Sequence, residues 1–379
     1  MRAARQFGLG FGFTLILGSP AAFTVFLAQP AAPRPRIEPQ ANIETYTPPV
    51  QPHVEIQAQS TASGTSVQER DELPAGETEE PKYGPLESAL ARLDRSQSIY
   101  GFWSDAAEHE ALCLGQGSSN PLELDDTSLT ALGLWCMTQD GRSHIGAEQC
   151  NACRIALTYL LARGNGAGWY SKANGANTIN TQALVILALS RLAANTGDRS
   201  LVPMVEAALS VAAFGNTGCG WGRHLTEAKP DAITTGWMLE ALYAAQEVNY
   251  DIGSMDWIEP CLDELEKQAR AENGESVYAR AVFVAFVAIG SERSQGKAYE
   301  IAQEALLLRA NKPELCDIHE TYWIARALLA SRSDGIWREA IRAKAETATL
   351  QSDTAESEAW HGGEVYRLAL GIRILQLLR

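Results

Sequence analysis

The sequence predicts an all-α fold: an α/α toroid of six helical hairpins, with inner and outer helix layers, preceded by an N-terminal transmembrane or signal helix and a disordered linker. Three observations predict it. From Tyr83 onward there is almost no strand signal. Helices of two kinds alternate along the chain. The starts of one kind recur at nearly regular intervals, the mark of a repeat architecture.

One kind of helix is amphipathic. In DWIEPCLDELEKQAR, Ile258, Leu262, Leu265 and Ala269 share a face, while Asp263, Glu264, Glu266 and Lys267 lie on others. The other kind is apolar nearly all round, as in QALVILALSRL from Gln182, and a helix apolar on every side is buried on every side. Alternating half-buried and fully buried helices imply two layers.

The buried helices align on Asp126, Thr178, Asp231, Ser276, Asp317 and Glu364. By subtraction of residue numbers the intervals run from 41 to 53 residues, each wide enough for one helical hairpin. Five of the six anchors are Asp, Ser or Thr, whose side chains accept from the free N–H groups of a helix start. Glu364 suits the positive end of a helix dipole. The outer partners fall between, at 86–96, 151–162, 201–213, 257–271, 297–309 and 336–349. An open solenoid, the alternative, would have a more uniform repeat and no Gly-aromatic turns. Such turns occur at Gly101-Phe102-Trp103, Gly168-Trp169-Tyr170 and Gly220-Trp221-Gly222. Glycine admits positive φ there, and the aromatic packs over helix ends.

The ends of the chain supply an address. Arg2 and Arg5 precede an uncharged stretch from Phe7 to Ala32, long enough to cross a bilayer core as a helix. Positive charge before it places the C-terminal bulk outside the cytoplasm. A cleaved signal peptide ending near Leu17-Gly18-Ser19-Pro20-Ala21 gives the same address. The expected organisation is therefore an anchor or signal segment over 1–32, a Pro-rich and acidic linker over 33–82, and the helical domain over 83–379. The linker cannot bury enough apolar surface to fold, and its Pro-rich half is extended.

Of 379 residues, 46% are hydrophobic, ample for a sizeable core, and the formal net charge is −15. That charge excludes nucleic acid as a primary partner, because it repels a phosphate backbone. It argues equally against a surface that clings to anionic lipid headgroups. Seven cysteines are present, and in an oxidising compartment some pair. The Cys150-Asn-Ala-Cys153 segment has the spacing of a redox motif, but reads as lying inside a helical run with no βαβ unit beside it.

Gln97-Ser-Ile-Tyr-Gly101-Phe-Trp103 has the form Q-x-x-x-G-x-W. With the recurrence from Tyr83 to Arg379, it resembles the repeat of squalene and hopene cyclases, in the superfamily that also holds the protein prenyltransferases. The resemblance implies the toroid. Glu123-Leu-Asp125-Asp126-Thr127 is similar to the cyclases' D-x-D-D-T, with Glu for the first Asp; carried over, Asp125 is the proton donor, and Glu123 and Asp126 hold its proton. The alternative is an N-cap with an acidic approach. The stretch from Gly218 to Trp237 resembles the prenyltransferases' G-G-x-x-G-R…K-x-x-D-x-C. Asp231 then matches a zinc ligand, Ile233 stands at the cysteine position, and His361 falls loosely where a histidine ligand comes. Cys219, in GCGWG, lacks the Gln of a thioester motif. Cys316 and His319 form a candidate metal pair, with a solvent-facing His beside a helix start as the alternative. No cofactor and no complete metal site are expected.

Glycan-active enzymes on α/α toroids pair two carboxyl groups across an aromatic-lined cleft. Asp125, Asp126, Asp231, Asp317, Glu320 and Glu364 stand at inner-helix starts, with Trp169, Tyr170, Trp221, Trp237, Tyr322, Trp323 and Trp360 near them in sequence. The expected function is a membrane-tethered binding or scaffold domain of the cell envelope. Its partner is an envelope protein, a lipid-like molecule or a glycan, held through Trp169, Tyr170, Trp221, Asp231, Trp237, Tyr322, Trp323, Trp360 and His361. The expected location is the inner membrane, single-pass through the N-terminal helix. A glycan hydrolase or lyase, and an acid-initiated cyclase using Asp125, are the alternatives; the sequence leaves open whether the chain is an enzyme.

Overall fold

The computed structural model describes residues 84–104, 124–146, 149–170, 178–248, 250, 257–271, 276–289, 292–350 and 363–379. All lie in one compact unit, Gly76–Arg379. The expected anchor, the linker and the residues Glu123, Trp360 and His361 lie outside the described residues. Among the described residues, no helix is long and apolar enough to cross a membrane.

The described region is all-helical. Twelve α-helices follow one another: α1 (Pro85–Arg95), α2 (Asp126–Gln139), α3 (Asn151–Arg163), α4 (Thr178–Thr196), α5 (Val202–Phe214), α6 (Ala232–Glu247), α7 (Ile258–Ala269), α8 (Ser276–Val287), α9 (Lys297–Ala310), α10 (Ile318–Ala330), α11 (Trp337–Leu350) and α12 (Gly363–Leu377). The even-numbered helices are the apolar ones. In α2 every residue from Thr127 to Thr138 is buried, and in α12 every residue from Val365 to Leu375. The odd-numbered helices bury one stripe, such as Leu86, Ala89, Leu90 and Leu93 of α1. Burying a large apolar side chain stabilises by about 1.5–3 kcal/mol, so the all-round apolar sequences are used only where both faces are covered.

Each even helix packs on the next even one: α2 on α4, α4 on α6, α6 on α8, α8 on α10, and α10 on α12; α12 packs in turn on α2. The odd helices sit against them, α3 on α2, α5 on α4, α7 on α8, α9 on α8 and α10, and α11 on α12. Helix α1 contacts both α12 and α11.

Three even helices start at an aspartate cap. Asp125, Asp231 and Asp317 each have extended backbone and accept the N–H three residues on, from Ser128, Thr234 and Glu320. The cap of α2 is therefore Asp125, one residue before the expected anchor; Asp126 is the first helical residue.

Two of the Gly-aromatic turns tie an odd helix to the following even one. The Trp103 indole N–H donates to the Leu93 carbonyl of α1 at 2.7 Å, and its backbone N–H donates to the Thr130 hydroxyl of α2 at 3.1 Å. Trp221 repeats this arrangement, with its indole on the Ala212 carbonyl of α5 at 2.8 Å and its backbone N–H on the Thr235 hydroxyl of α6 at 3.1 Å. At the third turn Gln182 of α4 serves instead. It accepts from the Tyr170 N–H at 3.3 Å and donates to the Gly168 and Ala208 carbonyls at 2.7 and 3.1 Å. These polar groups are buried and each finds a partner, as an apolar interior demands.

Candidate functional site

The aspartates at the helix starts reach beyond their own helices. One oxygen of Asp125 accepts from the Ser128 N–H at 2.9 Å and the Ser128 hydroxyl at 3.0 Å, and lies 3.4 Å from the Thr181 hydroxyl of α4. Asp231 accepts from Thr234 through one oxygen and from the Arg223 guanidinium at 3.2 Å through the other. Asp317 accepts from the Glu320 N–H at 2.6 Å and, through its second oxygen, from the Tyr278 hydroxyl of α8 at 2.8 Å. Of the other acids near helix starts, Glu320 pairs with Arg309 at 2.6 Å and Glu364 pairs with Arg92. All five carboxylates are thus engaged in caps, cross-helix bonds or ion pairs.

The aromatic residues divide into two sets. Trp221 is a turn residue, buried, and stacked edge-on against Trp257. Tyr170 is buried and Trp169 is half-buried, its N–H held by the Asn165 side chain at 2.9 Å. Trp237, Tyr322 and Trp323 belong to a different group, at the meeting of α2, α6, α10 and α12. Trp237 lies 5.3 Å from Tyr322, 5.0 Å from Trp323 and 6.2 Å from Trp135, measured between ring centroids. Tyr322 lies 6.3 Å from Trp135. These four side chains are almost wholly buried.

His319 joins this group. The candidate metal pair placed it beside Cys316, or else facing solvent, and it does neither. Its ring stacks on Trp237 at 6.0 Å and meets Tyr366 edge-on at 5.8 Å. The Trp323 indole donates to its Nε2 at 3.0 Å, so that nitrogen is an acceptor and the neutral ring is favoured. Burial pulls its pKa down to about 4, against the opposing pull of Asp317 and Asp231. Cys316 is buried and its thiol is directed at the Arg309 and Lys312 carbonyls. Among the described residues no three His, Cys, Asp or Glu side chains come together as a metal site would require.

A second polar cluster adjoins the aromatic one. Arg373 of α12 is buried, with its Cζ 3.9 Å from the Trp135 ring centroid, a cation–π contact in a dry setting. Burial lowers its pKa. Nearby, Arg326 of α10 pairs with the buried Glu240 of α6 at 3.2 Å, and Arg191 of α4 pairs with Glu247. Arg191, Arg326, Arg373 and Glu240 all act on the Tyr322 hydroxyl, whose pKa rises chiefly through burial. Among the described residues, the Tyr322 hydroxyl, the Trp135 indole N–H and both polar atoms of the Asn180 side chain have no hydrogen-bond partner. Buried polar groups are normally paired, so these atoms keep unused hydrogen-bonding capacity.

Reading the sequence missed Trp135, Tyr278, Glu240, Arg326 and Arg373. The arginines left a signal, since a charge inside an otherwise apolar run such as Glu364-Val-Tyr-Arg-Leu-Ala-Leu-Gly-Ile-Arg373 is buried with a partner or an aromatic face. Comparison with family models, with curated proteins and with solved structures finds no match to this chain.

Proposed function

We propose that the six helical hairpins close into an α/α toroid, and that the toroid is a binding or scaffold domain rather than an enzyme. Held outside the cytoplasm by the N-terminal segment, it presents its aromatic centre or rim to an envelope protein, a lipid-like molecule or a glycan. The contact of α12 with α2 supports closure. The observation that carries the binding reading is the engagement of the acids. Asp125, Asp231 and Asp317 are each held by their own helix start, and each has a partner elsewhere in the chain. A general acid must instead direct its proton at a substrate. The unpartnered Tyr322, Trp135 and Asn180 groups give a ligand something to bond.

The test uses the full chain in detergent, titrated separately with a long-chain isoprenoid, a soluble cell-wall glycan fragment and an extended peptide. Tryptophan fluorescence follows binding and mass spectrometry follows each probe. Saturable binding of one probe, with its mass unchanged and its affinity untouched by Asp125→Asn, is the expected result. Conversion of a probe that stops in Asp125→Asn would overturn the reading in favour of the cyclase. Conversion of the glycan that persists in that variant would favour a hydrolase or lyase. Failure of all three probes to bind would remove the support for a binding domain.

A further inference from the structure

Cys150 and Cys153 have a geometry that the sequence pattern does not show. The motif reads as interior to a helix, but α3 begins at Asn151, so Cys150 is the residue before the helix, in extended backbone with φ −116° and ψ 126°. Cys150 is half-buried, and Cys153, one turn in, is fully buried. Both are free thiols, one helical turn apart at the start of α3. A half-exposed sulfur at the positive end of a helix dipole, backed by a buried second thiol, is the arrangement in which a thiolate is stabilised and a resolving thiol stands ready.

The surroundings hold this turn still. The Cys150 N–H donates to the Ser143 carbonyl at 2.7 Å. The Gln97 side chain donates to the Ala152 carbonyl at 3.0 Å and to the Gly101 carbonyl at 2.9 Å. The repeat motif Q-x-x-x-G-x-W is thus docked on the turn that carries the two sulfurs. The charged groups acting on the pair are Asp94 of α1 and Arg142, which follows α2. The Cys150 thiol is lowered to about 5, first by the Cys153 thiol and against the effect of burial, while Cys153 is raised, first by Cys150. Burial pushes Cys136, Cys261 and Cys316 up to about 12, which makes them poor nucleophiles.

We propose that Cys150 and Cys153 form a thiol–disulfide exchange site that takes a low-molecular-weight aliphatic disulfide as its oxidant. The Cys150 thiolate attacks one sulfur of that disulfide, forms a mixed disulfide and releases one small thiolate, which takes up a proton. Cys153 gives its proton to solvent and its sulfur attacks the Cys150 sulfur. The Cys150–Cys153 bond forms and the second small thiolate leaves and is protonated. Two protein thiols lose two electrons, and one small disulfide gains them as two thiols. This inference does not rest on the binding reading.

The experiment exposes the reduced full chain to oxidised glutathione, quenches with acid, alkylates the remaining thiols and maps each cysteine by peptide mass. The expected result is an intramolecular Cys150–Cys153 disulfide while Cys136, Cys261 and Cys316 remain alkylatable. Cys153→Ser traps glutathione on Cys150, and Cys150→Ser leaves Cys153 unreacted. Should either variant fail to fold, the wild-type alkylation profile decides. Between pH 6 and 8 the rate at Cys150 stays within about twofold, whereas an ordinary cysteine peptide gains roughly eightyfold as its thiolate fraction grows. At pH 6 Cys150 reacts about tenfold faster than that peptide, the larger thiolate fraction outweighing the lower nucleophilicity of a low-pKa sulfur. A Cys150 rate that climbs with pH like the peptide's, or glutathione treatment that leaves both thiols free, would overturn the proposal.

Discussion

Glu240 is buried, its side chain 5% exposed, and among the described residues it pairs with Arg326, whose side chain is 18% exposed. Arg326 is held protonated first by Glu240 and against the cost of burial, and Arg191 and Arg373 stand around the same Tyr322 hydroxyl. Glu240→Gln keeps the shape and removes the carboxylate that, among the described residues, is paired with Arg326. Breaking a buried pair on one side costs about 3–5 kcal/mol, because the remaining charge is left without compensation. At roughly 2 °C per kcal/mol for a domain of this size, the thermal midpoint falls by about 6–10 °C. The double variant Glu240→Leu with Arg326→Met removes both charges and retains volume, and its cost is about 1 kcal/mol or less. Urea unfolding followed by circular dichroism measures all three proteins. The reasoning fails if the double variant is destabilised as much as Glu240→Gln. In that case lost packing, and not an uncompensated Arg326, would be the cause.

Three further outcomes follow from the same geometry. The folded pKa of His319, about 4, is below its ordinary 6.5, so the unfolded chain binds that proton first. The stability it confers is complete above pH 6.5 and is lost as pH falls toward 4. From pH 7 to pH 5 the wild type should lose about 2 kcal/mol more than His319→Gln, read from urea midpoints at the two pH values. Gly101 has φ +91° and a Cβ there would lie 2.3 Å from the Ile155 side chain and 2.6 Å from its carbonyl oxygen, whereas Gly141 has φ +85° and open space around it. Gly101→Ala should therefore cost clearly more than the roughly 1 kcal/mol of strain expected for Gly141→Ala, and equal costs in thermal melts would refute the close packing of this turn on α3. Asp317→Ala should cost about 2–3 kcal/mol against about 1 for Asp125→Ala, since it removes a cap and also the acceptor of the Tyr278 hydroxyl; chemical denaturation distinguishes the two.

The helices were legible because two independent signals coincide. Helix α4 is apolar all round and begins at Thr178, α7 is striped, and the turn glycines punctuate the chain between them, so expected and observed boundaries differ by only one or two residues. The cap of α2 shows the limit of that resolution. Asp125 and Asp126 are chemically the same, and only the backbone decides which one turns back on Ser128. At α3 the helix starts at Asn151, where the expected outer helix also starts, and Cys150 is its half-exposed cap rather than part of the helical run.

The site was less legible, for a physical reason. A periodic pattern states that Trp237 and Tyr322 are buried, but not that they face each other. Their 5.3 Å approach depends on how α6 and α10 are rotated about their axes, and a rotation of one residue on a helix moves a side chain by about 100°. His319 was misplaced for the same reason. Proximity to a helix start suggested a wet position, yet its face of α10 is the one against Trp237 and Tyr366.

The distribution of charge gives these placements a common sense. The chain is strongly acidic, with a formal net charge of −15, and among the described residues its most deeply buried charged side chains are Glu240, Arg373, Glu320 and Arg367. Two of those four are cations, and Arg373 faces the Trp135 ring. A fold needing only a core would place apolar side chains there, since well-packed hydrophobic residues in place of a buried ion pair are often neutral or stabilising. The aromatic centre is instead bordered by donors, among them the guanidinium groups of Arg326 and Arg373 and the Trp135 indole N–H, and by acceptors, among them the Glu240 carboxylate and His319 Nε2. The acids at the helix starts are occupied in holding those starts in place. That division gives the aspartates an architectural part, and the unpartnered Tyr322 hydroxyl and Trp135 indole N–H are the bonding groups that a ligand of the proposed binding domain would use.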